Sequence, residues 1–455
     1  MTEAKGTFFT HDKHFYKTLF SMMTFVALQN LLAYSVNMAD NIMLGSYSEY
    51  AMSGAATVNQ VFFVLQTTAN ALATAVVALC SQYWGKQTTE PIRAVTGVAL
   101  KAAALLGIIF WALSAFLDEE ILGIFTTSDA ILAEGVKYIK TLKWTFILFS
   151  LSTVLMAALR SVGTVNISFC TSAVSLVLNV GINYTLIFGR FGFPEMGVAG
   201  AAIGTLISRC VELGIIVFYL AKMDKKIRLF SAGFLRGDGG YARDYGRVLL
   251  PMMISSLVWA ISVPMQTAIL GHLSDAAIAA NSVATTFYQY LKVFVQAMTN
   301  VSAVMIGNAI GRGSLDRIKS DARSLTAIDM TIGVILAAAL YLLRAPLMSL
   351  YNLSDETTAL AMNLLAVMSI VMLGMAYQYP VHSGIIQGGG DAKFVMNMNL
   401  ISIWVIVMPL SFLSAFVWHW PVEAVVLVIQ SDQIFKSLPT FIRFRSYKWI
   451  KTLTR

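Results

Sequence analysis

Charged residues are scarce in this sequence: Asp, Glu, Lys and Arg together make up 12% of its 455 residues. Soluble globular domains carry about 25%, so this chain cannot cover a water-facing surface with charge. Hydrophobic residues reach 57%, the mean hydropathy is +0.70, and apolar runs fill 98–117, 331–343 and 401–417. Apolar segments of about 20 residues are typical of membrane-spanning helices. The composition therefore indicates a polytopic helical membrane protein.

Cysteine and histidine are also scarce, with three and five residues. Cys80, Cys170 and Cys210 lie in or at the ends of apolar segments, which argues against a disulfide framework and a metal site. The sequence contains no HExxH pattern and no cysteine–histidine pair at helical spacing. A membrane-embedded enzyme needs a cluster of that kind. We therefore expect no catalytic residues, no cofactor and no enzyme activity.

Hydropathy predicts twelve spans. They cover 16–44, 52–84, 93–117, 131–158, 166–189, 197–221, 245–271, 276–310, 321–343, 357–386, 393–417 and 422–441. The net charge of +8 does not indicate a nucleic-acid partner, because the basic residues concentrate in alternate loops, as the positive-inside rule predicts. The bias predicts that both termini lie in the cytoplasm, and we expect the chain to lie in the inner cell membrane. We expect membrane lipids as neighbours and a monomer.

An internal repeat relates the two halves of the chain. Gly45 and Gly271 are 226 residues apart, as are Gly85 and Gly311, while Pro194 and Pro421 are 227 apart. Two copies with an even number of spans share one topology and are related by an axis along the membrane normal. We therefore expect an all-α fold of twelve transmembrane helices in two pseudo-twofold-related six-helix lobes. The predicted boundaries are an N-lobe at 1–222, a cytoplasmic linker at 223–244 and a C-lobe at 245–455.

Polar side chains form stripes along four of the predicted spans. Amide and charged groups inside a bilayer usually face a bundle interior or a wet cavity, although hydrogen bonding between helices is an alternative role. Stripes at matching positions of the two halves favour a hydrated cleft between the lobes. The residues assigned to this substrate cavity are Tyr34, Asn37, Gln66, Asn70, Gln289, Lys292, Gln296 and His382.

These landmarks resemble the multidrug and toxic compound extrusion (MATE) family of transporters. The resemblance covers nearly the whole chain and rests on "ADNIMLG" (39–45), "NVGINYTLIFGRFGFPEMGVAGAAIGTLISR" (179–209), "GGGDAKF" (388–394) and the duplicated six-span unit. It implies a V-shaped pair of six-helix lobes. It also implies export of small organic compounds, often cationic, in exchange for inward H⁺ or Na⁺.

The resemblance gives the intramembrane carboxylate Asp40 a role in binding the coupling ion. Asn179 matches an asparagine of the family, Asn183 stands where some members have an aspartate, and Thr205 is assigned to the same set. Burial disfavours a charged carboxylate and a nearby cation favours it, so such a group can exchange a proton or Na⁺. Because few carboxylates accompany Asp40, we expect H⁺ rather than Na⁺, with Asp40 as the one possible Na⁺ site.

The sequence departs from the family at three places. Phe25 stands where many members have a proline, so we expect no proline kink in span 1. Trp259 replaces a glutamate of the Na⁺-coupled branch, and 373–384 lacks that branch's aspartate. Lys292 instead lies mid-span in the second half, which favours zwitterionic or partly anionic substrates. The alternatives are a neutral Lys292, or one paired with Asp329 or a backbone carbonyl.

Lys292 also keeps open a second function within transport. A flippase for lipid-linked saccharides or lipids of the same superfamily would use positive charge in its cavity. Such proteins often have more spans or an arginine-lined cavity, and neither feature is present in this sequence. The antiporter is therefore the preferred prediction and the flippase the alternative.

Overall fold

A computed structural model describes residues 8–231, 234, 239–273, 275–349 and 354–455. Its elements are helices, and the described residues contain no strand. In the first half they are α1 (Lys13–Tyr47), α2 (Glu49–Gly85), α3 (Glu90–Phe116), α4 (Asp118–Gly123), α5 (Asp129–Leu142), α6 (Trp144–Ser161), α7 (Asn166–Ile187) and α8 (Gly197–Phe218), which a π-helical turn extends through Tyr219–Met223.

The second half follows the same plan with more irregular helices. It contains α9 (Gly239–Gly271), α10 (Asp275–Arg312), α11 (Leu315–Met348), α12 (Asp355–Tyr379), α13 (Ala392–Leu400), α14 (Met408–Phe412), α15 (Val422–Ile429), α16 (Asp432–Phe435) and α17 (Ser437–Arg445). π-Helical turns occupy Pro380–Ile386, Ile401–Val407 and Leu413–Val417. The first begins at Pro380, which has no N–H to donate and so disturbs the α-helical bonding.

The predicted all-α membrane fold is confirmed. Among the described residues, eleven helical segments are long and apolar enough to cross a membrane. The predicted twelfth span, 422–441, is present as α15, α16 and the start of α17 rather than as one helix. Pro439 lies in the first turn of α17 and lacks an N–H, so it cannot continue the hydrogen bonds of α16.

Helix starts follow local sequence signals. Ser48 caps α2 by accepting a hydrogen bond from the backbone N–H of Ala51, and Glu49 follows in the first turn. Ser354 caps α12 in the same way and is followed by two acidic residues. Hydroxyl caps satisfy free N–H groups, and the acids complement the positive end of the helix dipole. Across Phe25, α1 continues without a break.

The chain forms two compact units. The first unit comprises residues 28–249, and the second unit comprises residues 1–27 together with 250–455. α1 and α9 each contribute their N-terminal part to one unit and the remainder to the other. Of the predicted linker, 224–231 is folded, 239–244 begins α9, and 232–233 and 235–238 lie outside the described residues.

The core of the first unit lies where α2, α5, α6 and α8 meet. Small residues of α2, including Ala51 and Ala55, let the neighbouring helices approach closely. Phe146 and Phe149 of α6 fill the space beside them. Small side chains at helix contacts are typical of membrane proteins, where close packing rather than water exclusion holds helices together.

Residues near both ends of the sequence pack within the second unit. Thr10 bonds Ser320, Ser324 and Asp321 at the start of α11. At the other end of the chain, Asp391 accepts hydrogen bonds from Arg443 and from Lys451 Nζ (2.6 Å for the lysine).

Trp449, near the C-terminal end of the sequence, is fully buried. Its indole ring lies against Gly389, where a Cβ would collide with it. The backbone N–H of Lys451 donates to the Gly389 carbonyl at 2.9 Å. The last residues of the chain are therefore an integral part of the second unit.

Candidate functional site

The predicted coupling residues meet in one hydrogen-bonded cluster of the first unit. Asn183 Nδ2 donates to Asp40 Oδ1 at 2.6 Å and to Asn179 Oδ1 at 3.3 Å. Asn179 Nδ2 donates to Thr205 Oγ1 at 3.2 Å. Both asparagines are fully buried and Asp40 is half-buried. These contacts form a chain of polar side chains from α1, α7 and α8, and the Asp40 carboxylate lies at one end of that chain.

Helix spacing and a glycine produce this arrangement. Asn179 and Asn183 are one turn apart on α7 and therefore share a face. α8 packs on that face, and Gly204 lies opposite Asn183. A Cβ at residue 204 would collide with the Asn183 side-chain oxygen. The absence of a side chain on Gly204 therefore lets Asn183 reach Asp40.

A small cavity adjoins the cluster in the same unit. Its volume of about 40 Å³ compares with the roughly 10–15 Å³ that one water requires. Its lining consists of small, polar and charged side chains: Ala33, Val36, Ser172, Ser175, Asn179, Thr205, Ser208, Arg209 and Glu212. Asn179 and Thr205 belong both to the cavity wall and to the Asp40 cluster. The cavity is large enough for water and has polar groups that can bind it.

An ion pair forms one wall of this cavity. Arg209 Nη1 and Glu212 Oε2 are 2.7 Å apart, one turn along α8, and only 3% of the Glu212 side chain is exposed. The Arg209 guanidinium also lies over the Phe149 ring, 5.2 Å from its centroid. Arg209 interacts electrostatically with Asp40, and the Tyr138 hydroxyl lies near Asp40 and Thr205. The Asp40 cluster and the Arg209–Glu212 ion pair are thus electrostatically coupled.

The four cavity residues predicted in the first unit differ in exposure. Tyr34 and Gln66 are half-buried, while Asn37 and Asn70 are exposed on the surface of the unit. Tyr34 lies on α1 one turn before Asn37 and two turns before Asp40. Their assignment to a substrate cavity stays a prediction.

In the second unit, Lys292 contacts Trp259. Lys292 Nζ lies 5.6 Å from the centroid of the Trp259 ring, a cation–π geometry, and the lysine is half-buried on α10. Asp329 accepts a hydrogen bond from Ser302 (3.4 Å). Asp432 interacts electrostatically with Lys292. Trp259, which the sequence analysis expects to replace a glutamate of Na⁺-coupled relatives, therefore contacts Lys292.

A buried ion pair on the last helices accompanies Lys292. Lys436 Nζ and Asp432 Oδ2 are 2.8 Å apart, and their side chains are 6% and 11% exposed. Lys436 also donates to Asn399 Oδ1 at 3.1 Å, and Asn399 Nδ2 donates to Ser255 Oγ at 2.6 Å. These bonds connect α9, the helix that begins at Ala392, and α16.

The remaining predicted residues of the second unit occupy different environments. His382 is fully buried, with its ring near Phe394 and its Nδ1 at 3.4 Å from Thr440 Oγ1. Gln289 and Gln296 are half-buried on α10, as Lys292 is. Within the described residues, no three His, Cys, Asp or Glu side chains are close enough to hold a metal ion.

Sequence reasoning missed both ion pairs. Arg209 and Glu212 are three residues apart in predicted span 197–221, and Asp432 and Lys436 are four apart in 422–441. Opposite charges at three or four residues along a helix face each other. That spacing, inside apolar spans, is the signal that would have identified them.

Comparison with known proteins gives one family. The sequence matches the MatE family over residues 26–185 and 242–413. It is 25% identical to a "Probable multidrug resistance protein NorM" of Thermotoga maritima, and the alignment covers 94% of this chain and 92% of that protein. It is 21% identical to the "Multidrug resistance protein MdtK" of Pectobacterium atrosepticum, over 84% of this chain and 83% of that one.

Solved structures show the same fold. The bent form of the Vibrio cholerae MATE transporter VcmN superposes with a TM-score of 0.85, covering 95% of this chain and 97% of that one at 18% identity. A MOP superfamily transporter from Pyrococcus furiosus, whose binding pocket is said to have reverse polarity, superposes with a TM-score of 0.87. That match covers 96% of this chain and 97% of that one at 16% identity.

Proposed function

This chain belongs to the MatE family, and from that membership we propose that it is a secondary antiporter that exports small organic compounds in exchange for inward H⁺ or Na⁺. The family consists of membrane transporters rather than enzymes. The relatives described above carry names for multidrug resistance. The proposed location is the inner cell membrane, and the charge bias of the loops supports cytoplasmic termini. The proposed active form is a monomer.

The Asp40 cluster is the observation that carries this proposal. A carboxylate in a membrane span is costly unless it pairs or reaches water, so its presence points to function. Asp40 is held by Asn183 and adjoins a cavity large enough for water. Such a group can bind a cation from an aqueous path and release it when the path opens elsewhere.

The ligand set favours H⁺ over Na⁺. Na⁺ prefers several oxygen ligands that include negative charge, and the hydrogen-bonded cluster has one carboxylate, Asp40, with Asn183 at the neighbouring position. A proton needs one carboxylate and a water path. The proposed exchange is therefore one of protons against substrate, with Na⁺ as the competing ion.

The second unit supports zwitterionic or partly anionic substrates. Lys292 supplies a positive charge that is half-buried and stabilised by the Trp259 ring. Asp40 supplies a negative charge in the first unit. An anionic group of a substrate is attracted by the lysine, whereas a simple organic cation is repelled by it.

Reconstitution into liposomes tests the antiporter. A pH gradient and a Na⁺ gradient are imposed separately, and the movement of a fluorescent cationic dye and of a zwitterionic dye is followed. We expect one gradient to drive dye movement, an outward dye gradient to drive reciprocal ion flux, and Asp40→Asn to abolish both. Glu49→Gln is the matched control, because it neutralises an exposed carboxylate of the same unit outside the cluster.

Two results would overturn the proposal. Dye movement that is unaffected by either gradient, or by Asp40→Asn, would exclude coupled exchange at this site. Gradient-independent movement of a lipid-linked saccharide in the same vesicles would support a flippase, the alternative that the positive charge of Lys292 favours.

A further inference from the structure

The Arg209–Glu212 pair has no role in the exchange described so far. Both residues line the cavity that adjoins the Asp40 cluster. Charged side chains inside a membrane span are rare because they are costly to bury. The Glu212 carboxylate is buried in this way, with 3% of its side chain exposed. Burying an ion pair does not stabilise a fold more than well-packed apolar residues would. The pair therefore calls for a functional explanation.

Arg209 can interact with two carboxylates. Its guanidinium is bonded to Glu212 at 2.7 Å and interacts electrostatically with Asp40. A guanidinium carries five N–H donors and stays charged at all physiological pH values. Its planar group rests on the Phe149 ring, a surface along which it can shift without losing that contact. Arg209 is thus a permanent cation that is bonded to one acid and interacts electrostatically with a second.

We propose that Arg209 is a tethered competitor of the transported cation: Glu212 neutralises it while Asp40 holds H⁺ or Na⁺, and Arg209 turns to Asp40 when that cation leaves. The cavity supplies the waters through which the monovalent cation enters. This inference rests on the proposed antiport and adds what sets the cation affinity of Asp40. The two residues are positioning residues, since neither needs to touch the substrate.

The electrostatic surroundings support the competition. Arg209 and Glu212 of α8 line the cavity. Asp40 of α1 and the phenol of Tyr138 on α5 belong to the neighbouring cluster and interact electrostatically with each other, as Asp40 does with Arg209. Removing one charge of the pair leaves the other acting on Asp40 through a medium of low dielectric. Loss of Glu212 adds an unbalanced positive charge beside Asp40, and loss of Arg209 removes one. The two changes therefore act on cation affinity with opposite signs.

Direct binding measurements test this sign rule on the purified full-length protein. Radioactive Na⁺ binding is measured at high pH, and the carboxyl band of Asp40 is followed by difference infrared spectroscopy across a pH series, with Asp40→Asn assigning the signal. We expect Glu212→Gln to weaken binding of the coupling cation about tenfold and Arg209→Gln to strengthen it about tenfold. The double variant should lie between them, close to the wild type.

Matched variants separate this role from a structural one. Glu134→Gln breaks an exposed pair of the same spacing in the same unit, Lys137–Glu134, and should leave affinity unchanged. Arg209→Lys keeps the positive charge and should leave the cation affinity close to that of the wild type. A tenfold rise in this variant would contradict the proposal even if Arg209→Gln fails to fold.

Two failures have different meanings. Asp40-dependent cation binding that neither Glu212→Gln nor Arg209→Gln alters, or that both alter in one direction, would overturn the tethered competitor and leave the antiporter standing. Absence of any Asp40-dependent cation binding in the wild type would overturn the proposed coupling itself. The Na⁺ and proton measurements also show which of the two ions competes with Arg209.

Discussion

Each unit pairs a cation with an acid at a matching position of the repeat, but the further charge that accompanies the pair has the opposite sign in the two units. Arg209 and Lys436 are 227 residues apart, the offset that also relates Pro194 and Pro421, and each is a cation paired with an acid three or four residues away. Lys436 is buried, whereas Arg209 is partly exposed. The first unit adds a lone carboxylate, Asp40. The second adds a lone cation, Lys292, whose counterpart at an offset of 226 is Gln66.

The two halves share the position of the paired cation but differ in the position of its acid and in the further charge. The position of the paired cation is common to both halves, but its acid lies three residues after Arg209 and four residues before Lys436. With every group ionised, the Asp40 centre carries one excess negative charge and the Lys292 centre one excess positive charge. A shared scaffold thus offers one site suited to a cation and another suited to an anionic group.

Breaking the Asp432–Lys436 pair should have the largest effect. Lys436→Met leaves Asp432 buried without its cation, which costs about 3–5 kcal/mol in the free energy of unfolding. Replacing both residues with Met and Leu should restore most of that stability. Thermal unfolding of the purified protein in detergent measures both. A double variant no more stable than Lys436→Met would show that the pair, and not the unpaired charge, decides stability.

A matching stability test applies to the Arg209–Glu212 pair of the first unit. The Arg209 side chain is 24% exposed, against 6% for Lys436. Glu212→Gln should therefore destabilise less than Lys436→Met, because solvent screens the guanidinium. Equal losses would indicate that the two pairs serve one common structural purpose.

Displacing Asn183 should have an intermediate effect. Gly204→Ala puts a Cβ into the position of the Asn183 side-chain oxygen, costing about 1–3 kcal/mol in stability and separating Asn183 from Asp40. Coupled transport should fall along with it. Gly214→Ala is the control, because it lies on the same helix with no neighbour near its Cβ. Transport that survives Gly204→Ala unchanged would remove Asn183 from the mechanism.

Removing the positive charge of Lys292 should have the smallest effect, and only on the choice of substrate. Lys292→Gln makes the position equal to its repeat partner, and we expect the preference for zwitterionic over cationic dyes to fall roughly fivefold, or about 1 kcal/mol. Competition assays in proteoliposomes measure this ratio. Trp259→Phe keeps an aromatic face and should shift it less. An unchanged ratio in Lys292→Gln would exclude this residue from substrate recognition.

Much of the fold could be predicted because a bilayer imposes simple rules on sequence. Long apolar runs predicted eleven of the helical segments, while the lobe boundaries 1–222 and 245–455 stay a prediction. The Asp40 cluster was also predictable, since Asn179 and Asn183 are spaced by one turn and match a known family.

Other features depend on contacts that hydropathy does not report. The breaks in 422–441 come from Pro439 and a turn near Gln430, which an apolar average conceals. The Lys292–Trp259 contact joins residues far apart in sequence. Likewise, no pattern in α8 alone indicates that Gly204 is required for Asn183 to reach Asp40.

The division at residues 27 and 250 has a consequence for biosynthesis. The ribosome makes residues 28–249 as one continuous stretch, so the first unit can assemble while the rest of the chain is still being translated. The second unit needs both the earliest residues and the last ones, including Trp449 and Lys451. Its completion must therefore wait until Trp449 and Lys451 have been synthesised, and residues 8–27 stay without their contacts to the second half until that half has been made.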